Sequence, residues 1–282
     1  MASALKLAEM SETFNANKLF KINKALSELT NSLYEFKEKV QYHDSELEGK
    51  IFRFIMGNSS LLKLMDKVTV QLKDKTYETL DVPTINSITR MQIESFIMIY
   101  YLSFSTGSVE EKDMRYDIYI LHGLNKQSNF PIKSEFGEKK REEILRGIEA
   151  VKKTLNSRQP FVNLDPKSKK EILKLKYAKV IKSDELFRES GISKLGVFDM
   201  WSLYSNHTHS EHISDRQYRT YYKRGTEGKL DVNINIKIHG ILTAKLCRFL
   251  IDKFESPKKV LSRIDETSRA LIYTWGYKMH QN

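Results

Sequence analysis

One cysteine, five prolines and twelve glycines are all that 282 residues supply, and each shortage removes a class of structure. The lone Cys247 excludes an internal disulfide framework, and its apolar setting beside Leu246, Phe249 and Leu250 points to a reducing compartment. With so little Pro and Gly, long helices face few interruptions. No run of about 18 residues is both apolar and uncharged, so no membrane-spanning helix is expected. The opening MASALKLAEMSETFNANK lacks the charged-then-apolar layout of a signal peptide, and the expected location is the cytoplasm. Gly-rich phosphate loops, HExxH and internal repeats are also missing, and no cofactor is expected. Acidic residues are the last shortage: 36 Asp+Glu against 47 Lys+Arg leave a formal charge of +11. That balance favours an acidic partner, nucleic acid first, or else reflects a solvated lysine-rich surface.

What is present is apolar residues at helical spacing. The reading is an all-α fold, a multi-helix bundle of about nine or ten helices. Its expected centre is the stretch 83–105, PTINSITRMQIESFIMIYYLSFS, apolar around nearly its whole circumference. Leu19, Ile22, Leu26, Leu29, Leu33, Phe36 and Val40 step by three and four like a bundle seam. Residues 1–44 therefore read as an N-terminal amphipathic segment packing on a main helical domain, 45–282; such seams could also seat a second copy or a partner protein. Gly57-Asn58-Ser59-Ser60 reads as a stop and a new cap, with a third helix over 60–75. A helix starting at Val109 is expected to end at Gly123, before a polar loop over 123–135. A charged helix is expected over 138–155, and another over 194–210. The alternation in 232–238 suggests a strand, yet its continuation is helical, so 231–255 reads as one helix. One last helix is expected from Ser256-Pro257 to near Met279.

Three groups of residues can carry chemistry. Arg90 and Glu94 share a face at i and i+4 inside an apolar helix, where charges are costly unless they meet each other or a functional group. Ser205 and His209 repeat that spacing, so the imidazole can act as acid or base beside a hydroxyl, or serve as a hydrogen-bonded structural residue. His207, His209 and His212, with Glu211 and Asp215, offer imidazole and carboxylate ligands, but only 209 and 212 share a helix face, so no metal is assigned. The third group is basic and aromatic: Lys167, Lys170 and Lys174, then Arg216, Arg219, Tyr221, Tyr222, Lys223 and Arg224. Such surfaces bind phosphates through Lys and Arg and stack unpaired bases on Tyr; the structural alternative is a solvated helix and an ordinary turn.

The sequence Arg90-Met-Gln-Ile-Glu94, running into Tyr100-Tyr101-Leu102, followed later by Tyr204-Ser205 and His209-Ser210, resembles a bacterial all-helical family of unknown function across about residues 45–255. The resemblance implies a pocket made of Arg90, Glu94, Ser205 and His209. A more distant likeness is to HEPN-type helical proteins, many of them metal-independent ribonucleases of toxin and phage-defence systems. Their Arg and His share one helical face, and Arg115 with His122 has that spacing here, although Glu110, Glu111 and Asp113 also stand near Arg115 as ion-pair partners.

Three functions follow as expectations. The first is an HEPN-like endoribonuclease or RNA-binding defence effector that works without metal. The second is a non-catalytic helical binding module whose Arg/Glu/Ser/His group is a structural polar knot. The third is a metal-dependent hydrolase built on the cluster between His207 and His212.

Overall fold

The structure, a computed structural model, describes residues 14–174, 178–208, 215–216, 219 and 228–276. It is all-α, with one two-stranded hairpin among the described residues. No described helix is long and apolar enough to cross a membrane. The chain divides into two compact units. Unit 1 gathers the described residues up to Lys39, Leu47–Tyr100, and those from Phe187 onward, whereas unit 2 gathers Val40–Glu46 and Tyr101–Leu186.

Unit 1 begins with α1, Ala16–Glu35, whose cap Asn15 accepts the Lys18 N–H. Leu19, Ile22, Leu26, Leu29 and Leu33 form its buried stripe. The seam stops there: Phe36 and Val40 lie beyond the helix and are exposed. Helix α2, Leu47–Lys63, passes straight through the Gly57-Asn58 stretch that reads as a stop. Gly57 is used for a close approach, because a Cβ there would lie 2.5 Å from Gln92 Oε1. The helix expected over 60–75 is absent. Instead β1, Val68–Leu72, pairs antiparallel with β2, Lys75–Thr79, with Val70 opposite Tyr77. The β-branched run Val68, Thr69 and Val70 suits an extended strand.

Asp81 then caps α3, Val82–Ile99, accepting the Thr84 N–H, and Pro83 stands in its first turn. A π-helical turn, Tyr100–Phe104, follows it. Nine of the 18 residues of α3 are buried, and Asn86, Thr89 and Gln92 are among them. The enclosed helix is α10, Lys229–Lys253, with 17 of 25 residues buried. It packs on α1, on α3 and on the π-turn Ile272–Gly276. Helix α9, Val197–Thr208, lies against α3. The single C-terminal helix of the sequence reading is two short ones, α11, Glu255–Val260, and α12, Glu266–Leu271. Asp265 separates them by accepting the Ser268 N–H and starting a new helix.

Polar side chains thread the middle of unit 1. His239 Nδ1 donates to Asn58 Oδ1 at 2.8 Å, and Nε2 faces Thr89 Oγ1 at 3.1 Å. Asn58 Nδ2 donates to Asn23 Oδ1 and Thr243 Oγ1, while Gln92 Nε2 donates to Asn58 Oδ1 and the Phe54 carbonyl. Burial pushes His239 down to about 3, so the ring is a neutral part of the scaffold.

Unit 2 is built on α4, Val109–Ser128, and α5, Glu135–Ser157. Ser108 and Glu111 close a capping box at the start of α4, and the helix runs past Gly123 into the expected loop. Met114, Ile118, Leu121, Ile148, Leu155 and Phe161 form the core. The short α6, Gln159–Val162, supplies Phe161; α7, Pro166–Leu173, and α8, Ser183–Glu189, follow.

Candidate functional site

Packing of α3 on α9 joins two sequence segments more than a hundred residues apart. Arg90 Nη2 lies 3.0 Å from Glu94 Oε1, and Arg90 Nη1 donates to the Trp201 carbonyl at 3.1 Å. The guanidinium stands 5.1 Å from the centroid of the Trp201 ring, whose Nε1–H donates to Glu94 Oε1 at 3.2 Å. This is a closed triangle in which cation, carboxylate and indole each contact the other two. Arg90 is mostly buried, with 15% of its side chain exposed, whereas Glu94 is half exposed at 51%. Phe187 and Phe198 hold the indole at ring distances of 5.7 and 5.6 Å.

Ser205 follows Trp201 by four residues on α9 and is half-buried, so it stands one turn along the helix that receives Arg90 and Glu94. His209 lies outside the described residues, as do His212, Tyr221, Tyr222, Lys223 and Arg224. Trp201 was not among the expected site residues, although its position four before Ser205 is the spacing that could have found it.

Arg115 and His122 both lie on α4. Arg115 is buried, and its Nη1 donates to Ser105 Oγ at 2.7 Å and to the Thr106 carbonyl at 2.8 Å. The guanidinium stacks 5.7 Å from the Tyr101 ring centroid. Its bonds therefore run to the turn before α4, and none of the nearby carboxylates takes its Nη1. His122 is half-buried, and burial together with Lys126 lowers its pKa, so the imidazole is neutral at pH 7.

A second charged group in unit 2 has no counterpart in the sequence reading. His43 Nδ1 lies 2.8 Å from Asp113 Oδ1, and Tyr42 donates its hydroxyl to Asp117 Oδ1 at 2.8 Å. Arg158 Nε donates to Asp117 Oδ2, and its Nη1 donates to Asp113 Oδ2 at 3.2 Å. Burial, then the Asp117 carboxylate, raises the Tyr42 pKa and keeps the phenol protonated. These partners lie 41 to 75 positions apart, and only the i,i+4 spacing of Asp113 and Asp117 hints at them.

Lys167, Lys170 and Lys174 are exposed at α7, and Arg216 and Arg219 are exposed as well. Among the described residues no group of three or more His, Cys, Asp or Glu could hold a metal ion; the His207 to His212 cluster falls largely outside them. No family model, curated protein or solved structure matches the chain.

Proposed function

We propose that the chain is an RNA-directed helical protein and cleaves RNA without a metal ion, in the manner of an HEPN-like endoribonuclease. The observation that supports the reading is the packing of α3 on α9, which brings Arg90 and Glu94 to the turn before Ser205. In this reaction the substrate's own 2′-OH attacks the adjacent phosphorus, so the protein supplies no nucleophile. His209 accepts the 2′-OH proton or donates one to the departing 5′ oxygen. Arg90 meets the charge that develops on the phosphorane oxygens, Glu94 and Trp201 hold the guanidinium, and Ser205 orients the imidazole. Exposed Lys167, Lys170, Lys174, Arg216 and Arg219 attract the phosphate backbone.

Incubating wild type and His209→Ala with total RNA in the presence of EDTA tests this. Cleavage by wild type that falls by about a hundredfold or more in the variant is the expected outcome. No cleavage by wild type, or equal cleavage by both proteins, defeats the mechanism.

One observation favours a second reading. Arg90 already bonds Glu94 and the Trp201 carbonyl, which is what a latch between two helices of a binding module requires. Under that reading wild type leaves RNA intact, and Arg90→Met lowers stability without any loss of activity to record.

A further inference from the structure

One concavity of unit 2 has no role in the nuclease reading. It is a groove of about 830 Å³ between α7 and the segment 178–183, a size within the range of small-molecule sites. Met114, Leu164, Ile172, Val180 and Ile181 make an apolar floor, and Met114 belongs to the core beneath it. The wall is fixed from below: the Val180 N–H donates to the hydroxyl of fully buried Tyr101 at 3.1 Å. Tyr101 in turn carries the guanidinium of Arg115 against its ring.

Two lysines and one carboxylate stand at the rim, a net positive charge. Lys179 and Lys182 line the groove, with Glu171 opposing them, and Lys179 Nζ is held 3.0 Å from Ser183 Oγ. Across residues 166–183 there are seven lysines, and Glu171 is the single acidic residue. An apolar trough with cationic groups along its edge complements a molecule with an apolar body and an anionic head. A neutral apolar ligand would not use the net positive charge of the rim, and a polyphosphate would leave the floor bare.

We propose that this groove binds an anionic amphiphile, of the class of a medium-chain carboxylate: the chain lies on Met114, Ile172 and Val180, and the carboxylate meets Lys179 and Lys182. The site is independent of RNA cleavage and uses none of the residues assigned to it.

Calorimetric titration of the full chain with decanoate, decanol and decylammonium, each below its micellar concentration, tests the assignment. Decanoate is expected to bind saturably with one site, decanol at least tenfold more weakly, and decylammonium not at all. In Lys179→Glu/Lys182→Glu, a surface change, decanoate affinity is expected to fall at least tenfold while decanol binding is kept. Ile172→Trp, which fills the floor, is expected to weaken both, with circular dichroism reporting an intact helical fold. Absence of saturable decanoate binding overturns the proposal, and so does equal affinity for decanoate and decanol. Decanoate binding untouched by the charge reversal overturns it as well.

Discussion

Lys245 is wholly buried in α10, and among the described residues no acceptor lies within hydrogen-bonding reach of its Nζ. The aromatic ring of Phe249, 5.8 Å away, is its neighbour. Burial lowers its pKa from 10.5 to about 8. The sign follows from proton counting. Between about pH 8 and 10.5 the unfolded chain binds a proton at this amine that the folded chain has released, so stability rises with pH across that window. Below pH 8 the folded state carries a buried ammonium at a cost of about 3 kcal/mol. Lys245→Met is expected to remove that slope and to raise stability at pH 7 by a similar amount, measured by urea unfolding at pH 7 and pH 10. An equal pH slope in both proteins would show that the amine reaches water. Nothing in the sequence marks this lysine, because burial is a tertiary property and Lys is ordinarily a surface residue.

Helix α2 shows how a local rule is overruled. Gly-Asn-Ser-Ser is a strong stop signal taken alone, yet the helix continues, held by tertiary contacts of Gly57 and Asn58. Gly57 admits the Gln92 side chain, and Asn58 bonds Asn23, Thr243, Gln92 and His239. Gly57→Ala ought to gain up to about 1 kcal/mol of helix propensity. Here it is expected to cost about 1–3 kcal/mol, since the new methyl meets the Gln92 amide. In the Gln92→Ala background the obstacle is gone, and the same substitution is expected to be stabilising or neutral. Thermal unfolding of the four proteins gives the coupling directly; additive effects would refute the close approach. The helix expected over 231–255 is α10, which runs from Lys229 to Lys253 despite its strand-like alternation. A helix buried on every face loses its period; length and the lack of proline favour the helix, and Gly240 sits inside it where Phe14 packs closely. The segment 60–75 departs from the expected helix for the opposite reason. Its leucines and valines fit a helix stripe, and the turn at Lys73-Asp74 carries no glycine, Lys73 itself taking φ 53°. At the candidate site, Arg90 and Glu94 were legible as a pair, but their partner Trp201 required knowing that α3 meets α9.

At the scale of the whole molecule, the chain crosses between its two units more than once. Val40–Glu46 leaves α1, joins unit 2, and gives way to α2 in unit 1. Tyr42, His43 and Ser45 secure that short passage to Asp117, Asp113 and Tyr116 of α4. Tyr42→Phe deletes one hydrogen bond to a carboxylate, and a loss of about 1–2 kcal/mol is expected. Hydrogen exchange should place the loss in α4, α5 and α6 while α10 keeps its protection, and a uniform decrease would mean that the units unfold as one. Such interlacing bears on inheritance and engineering alike. A gene fragment running from 101 to 186 encodes most of unit 2 and omits the seven residues that complete it, so that unit cannot be borrowed, duplicated or exchanged as one contiguous cassette.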